Sequence, residues 1–128
     1  VFGDDAARRQ LEAILHPRIR IALHEDALRA QGPYAIVAIP LLAEGGGRTA
    51  YPWLDRILVV DCSEATQAER VICRAGWDAA VVQAVIAQQA GRALRRACAD
   101  AVIFNDGIGL EELAQEVHSL WQQWCAPR

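Results

Sequence analysis

Three short apolar runs punctuate the chain: AIVAI at 35–39, RILVVD at 56–61 and AVIF at 101–104. The stretches between the second and third carry apolar residues at helical spacing. This alternation constrains the fold more than any other feature. A run apolar at nearly every position needs cover on both faces, and strands separated by helices cross over to lie parallel. The expectation is an α/β fold with three parallel strands and flanking helices. The first run aims at Pro40, Leu41, Leu42 and then Glu44. Open parallel sheets bind ligands just beyond the carboxyl ends of their strands, so this rim is a candidate site.

Helix signals fill the rest. Asp4 and Asp5 can cap a helix carrying Leu11, Ile14 and Leu15 on one face. Pro17 is expected to stop that helix or to start a second one with Ile19, Ile21, Leu23 and Leu28. Ser63 caps a helix through EATQAERVICR, Gly76 ends it, and Asp78 caps the next. An arginine-rich stretch runs from Gly91 to Cys98, and a last helix spans about 110–124. Gly45 to Gly47 reads as a flexible loop, because no helix clearly begins after it.

Composition narrows the classes. One domain is the natural count for 128 residues, and a net charge of −3 argues against nucleic-acid binding through bulk charge. No apolar run reaches membrane-spanning length and no signal peptide pattern opens the chain, so a cytoplasmic protein with no membrane partner is expected. Cys62, Cys73, Cys98 and Cys125 form no C-x-x-C pair and read as small buried hydrophobes, not metal ligands. The chain contains neither methionine nor lysine. The first suggests a fragment opening inside a running pattern. The second excludes a G-x-x-x-x-G-K-[ST] phosphate loop in these residues.

Arginine is therefore the sole basic side chain besides histidine. Arg70 and Arg74 lie four apart on one helical face, and Arg92, Arg95 and Arg96 repeat the arrangement one helix later. Such forks could clamp a polyphosphate. Spacing alone equally describes a solvated face with Glu69 available for pairing, and that is the commoner outcome. His16 before Pro17 is a ligand contact or a packing residue. Asn105 and Gly107 border either a simple turn or a nucleotide-base site.

Taken in order, VFGDDAARRQLEAILHPRI, IPLLAE, DRILVVD, TQAERVICR and QAGRALRRACADAVIFNDG resemble the C-terminal two thirds of a bacterial dephospho-CoA kinase. The resemblance covers essentially the whole chain. It implies a partial P-loop kinase fold with a helical lid, in which the runs at 35–39, 56–61 and 101–104 are the last three parallel strands and the first two are missing. It implies a helical substrate-domain part at 1–33, with 34–128 the remainder of the nucleotide-binding core and the lid at about 64–98.

The same resemblance implies ATP-dependent phosphorylation of the ribose 3′-hydroxyl of dephospho-CoA, the last step of coenzyme A synthesis. Arg70 and Arg74 become the charge-stabilising catalytic pair, and Arg92, Arg95, Asn105 and Gly107 contact ATP. His16, Pro40, Leu41, Leu42 and Glu44 fall to dephospho-CoA, with Glu44 open to a structural salt bridge instead. The Mg²⁺ ligands are expected in the missing N-terminal part, together with the phosphate loop and the acid proposed as base. Phe104 and Ala101 depart from acids common in the family. The fragment alone is expected to be inactive and to self-associate through exposed strand edges. A related nucleotide or nucleoside kinase, or a non-catalytic α/β interaction module if the gene starts here, are the alternatives.

Overall fold

The computed structural model describes residues 4–125. They form two compact units, divided between Ile39 and Pro40.

The first unit is built on helix α1, Asp5–Arg29. Asp4 caps it by accepting from the Ala6 and Ala7 amides at 2.9 and 3.0 Å. Pro17 lies inside this helix and does not divide it, contrary to the expected junction. Proline removes one backbone hydrogen bond, but strong helix formers on both sides carry the helix across the gap. Arg29 closes the last turn with ion pairs to Glu25 and Asp26.

The segment 35–39 is the main correction to the sequence reading. It is irregular, and Ile36 is 84% exposed. A strand is defined by its ladder, and no segment among the described residues pairs with this one. It lies instead along a shallow groove with Leu23 and Ala27 of α1 and Ala30 just after it. Three expected strands become two.

The second unit holds the sheet. Strand β1 (Leu58–Asp61) pairs in parallel with β2 (Ala101–Phe104), in the register Leu58 to Ala101 through Asp61 to Phe104. This is the parallel ladder expected between the second and third apolar runs. Ile57 and Ile103 are buried, while Leu58 and Val60 are 42% and 62% exposed, so alternate residues of β1 are covered unequally.

Helices α3 (Glu64–Ala75), α4 (Ala79–Gln88) and α5 (Arg92–Ala97) connect the two strands, and α6 (Leu110–Trp124) follows β2. Between the units' boundary and β1 lies one short helical turn, α2 (Gly47–Ala50), which begins at the last glycine of the triplet. That triplet is thus a structured turn, not a flexible loop. Gly45 and Gly47 donate to the Leu41 and Leu42 carbonyls, and Gly46 and Gly47 take positive φ angles that other residues resist. α5 packs on β1, α6 on β2, and α3 on α4.

Candidate functional site

The polar residues of the second unit gather where β1 and β2 end. Asp61, the last residue of β1, is 3% exposed. Its carboxylate accepts two hydrogen bonds from Arg92 of α5, from Nε at 3.0 Å and from Nη2 at 2.7 Å. The same guanidinium lies 5.7 Å from the centre of the Phe104 ring. The Arg92 bonds hold the Asp61 carboxyl below the usual carboxylate range, against the opposing effect of burial, with Arg95 and Arg96 adding to the pull.

The next residues bind the turn after β2. The Ser63 amide donates to Asp106 Oδ2 at 2.9 Å and the Thr66 hydroxyl to Asp106 Oδ1 at 2.6 Å. Ser63 also caps α3, its hydroxyl accepting from the Thr66 amide at 3.2 Å. These donors, Thr66 first, lower the Asp106 pKa to about 2, and the nearby Arg70 charge acts in the same direction. Asn105 donates its amide to the Asp61 carbonyl at 2.8 Å, extending the ladder into the turn. Gly107 follows at φ +71° with open space where a Cβ would stand.

The proposed lid arginines make no side-chain hydrogen bond within this web among the described residues, although the Arg70 charge acts on Asp106. Arg70 and Arg74 are exposed on α3 and have no ion pair among the described residues, so the pairing to Glu69 does not form. Arg95 reaches Gln89 Oε1 at 3.2 Å. Glu44 makes no arginine bridge among the described residues either. Its Oε1 accepts from the Ala90 amide at 2.8 Å and pins the 41–47 turn to the junction of α4 and α5.

Within the second unit, then, Arg70, Arg92, Asn105 and Gly107 border one region, and Glu44 is tied to the helix pair that carries Arg92. Pro40 and Leu41 are exposed and Leu42 is half-buried at the start of this unit. His16 lies half-buried in the middle of α1, in the first unit. Sequence reasoning did not single out Asp61 or Thr66, and it gave Asp106, between Asn105 and Gly107, no role of its own. The available signal was positional: Asp61 ends an apolar strand and Asp106 follows one by two residues. No three His, Cys, Asp or Glu side chains converge as a metal site among the described residues.

A parallel strand pair with a polar cluster at its carboxyl ends and arginine-bearing helices beside it defines an α/β protein. Residues 1–111 match the model of the family described as dephospho-CoA kinase, and the chain belongs to that family. It is 56% identical over 120 residues to a dephospho-CoA kinase of Xanthomonas axonopodis pv. citri, covering 94% of this chain and 59% of the relative. It is 53% identical over 107 residues to one from Xylella fastidiosa, covering 84% and 52%. The crystal structure of TT1252 from Thermus thermophilus superposes with a TM-score of 0.78 at 28% identity, over 98% of this chain and 64% of that one. The chain thus spans less than two thirds of the length of these relatives.

Proposed function

We propose that these residues form the larger part of an enzyme that transfers the γ-phosphoryl group of ATP to the ribose 3′-hydroxyl of dephospho-CoA. The observation that carries the reading is the unpaired Arg70–Arg74 face on α3, the helix that leaves the carboxyl end of β1, in a chain of the dephospho-CoA kinase family. Phosphoryl transfer gains most from fixed cations around the migrating group, and two arginines one turn apart are available for that role. Arg92 and Arg95 contact the ATP phosphates from α5, and Asn105 and Gly107 border the adenine. His16, Pro40, Leu41 and Leu42 belong to the dephospho-CoA side, while Glu44 acts indirectly through the Ala90 amide. The helices from 64 to 98 form the lid of a P-loop kinase fold. A lysine-containing phosphate loop must come from sequence outside these residues, which contain no lysine. Mg²⁺, when bound, screens the phosphate charge, and its ligands belong to that same outside sequence.

The test is a hybrid enzyme in which this chain replaces the matching part of the Xanthomonas relative. Offered dephospho-CoA, nucleosides and nucleoside monophosphates with ATP, it should phosphorylate dephospho-CoA with the highest kcat/KM. Preference for a nucleoside or nucleotide would reassign the substrate, and a folded hybrid with no transfer to any acceptor would remove the kinase reading.

A further inference from the structure

Asp61 raises a question that the proposed reaction does not answer. A carboxylate buried at the end of a strand is costly, and an apolar side chain would fill the same space more cheaply. The backbone already supplies the strand ladder. What the acid adds is a hold on one edge of a single side chain. Its two oxygens take Nε–H and one N–H of Nη2 from Arg92. A guanidinium has five N–H donors, so three remain, two of them on Nη1. The Arg92 side chain is 31% exposed, and the Phe104 ring lies against its face. One edge and one face are thus fixed, and the other edge is open.

We propose that Asp61 is a positioning residue, orienting Arg92 so that its free Nη1 edge meets a phosphate oxygen at the carboxyl ends of β1 and β2. The proposal rests on the reading of Arg92 as an ATP-phosphate contact. Arginine forks bind phosphate through two parallel N–H groups, and a long side chain delivers them only when its rotamer freedom has been removed. Asp61 removes that freedom without consuming the outer edge. Arg95 and Arg96 stand close enough to act on Asp61, so the region keeps net positive charge despite the buried acid.

Charge and positioning make opposite predictions. Asp61→Asn deletes a negative charge beside three arginines, so bulk electrostatics would tighten polyanion binding. Positioning requires that it loosen. Inorganic tripolyphosphate, titrated into the chain by calorimetry, is expected to bind the Asp61→Asn variant roughly tenfold more weakly than the native chain, the size of one lost charge-assisted contact. Arg92→Lys, which keeps the charge and its attraction to Asp61 but loses the fork, should lose as much. The double variant should lose no more than Arg92→Lys alone, because Asp61 acts through Arg92. Thermal unfolding of each variant separates misfolding from weak binding. If Asp61→Asn does not fold, Asp61→Glu, which keeps the charge but displaces the carboxylate from Arg92, takes its place and should bind more weakly in the same way. Native or tighter binding by either folded variant, or no tripolyphosphate binding by the native chain, would overturn the proposal. In the hybrid enzyme the same variants should raise KM for ATP more than they lower kcat. Intact tripolyphosphate behaviour with an inactive hybrid would sink the kinase reading and leave the positioning role standing.

Discussion

The Thr66 hydroxyl donates to Asp106 Oδ1 at 2.6 Å, joining the first turn of α3 to the turn that follows β2. The two segments are 40 residues apart in sequence. Through this bond and the Ser63 amide, the helix that bears Arg70 and Arg74 is anchored to the turn that bears Asn105 and Gly107. One carboxylate therefore ties the helix of the proposed catalytic arginines to the turn proposed to border adenine.

That bond carries a pH signature. The Asp106 pKa is lowered to about 2 from an ordinary 3.8. A depressed carboxyl pKa contributes stability that is complete above the unfolded value and disappears as pH falls through the folded one. Asp106 should therefore stabilise the chain fully above about pH 4 and lose that effect towards pH 2. Urea midpoints measured between pH 2 and 5 should show a larger gap between native chain and Asp106→Asn at the upper end. An equal gap at every pH would mean that the ionised form is not the bonded one.

The lid arginines should act on the chemical step. In the hybrid enzyme, Arg70→Ala or Arg74→Ala should lower kcat more than it raises KM for dephospho-CoA. A loss of about a hundredfold or more is expected for at least one, by comparison with other charge-stabilising arginines in phosphoryl transfer. Near-native kcat in both would return the pair to a solvated surface.

The caps of α3 should be separately measurable. Ser63→Ala removes the oxygen that accepts from the Thr66 amide and should cost about 1 kcal/mol. At the other end, Gly76 adopts φ +65° with open space around it. Gly76→Ala should cost about 1 kcal/mol through backbone conformation alone, since no clash is available to add to it. Denaturant unfolding checks both, and an unchanged midpoint for Gly76→Ala would show that the helix ends differently in solution.

Much of this arrangement was legible in the residues because it is local. Ser63, Gly76 and Asp78 cap or end helices where their side chains or positive φ angles dictate. The 101–104 strand has the bounds its apolar run gives. The failures are non-local. Whether 35–39 is a strand depends on a partner, and sequence hydrophobicity cannot supply one. Pro17 offered a break that the helix formers around it overrode. The pairs Asp61–Arg92 and Thr66–Asp106 join residues 31 and 40 positions apart, so no spacing rule could match them. The family resemblance ordered the segments correctly, but it did not reveal which acid holds which arginine.

The most direct measurement follows the phosphorus atom itself. The hybrid enzyme is given ATP labelled in its γ-phosphoryl group together with dephospho-CoA, and the product is fragmented and its phosphorus positions identified. The label should appear on the ribose 3′-oxygen, with one ADP formed for each labelled product. Label released only as inorganic phosphate, or carried on any other oxygen of the acceptor, would contradict the proposed reaction.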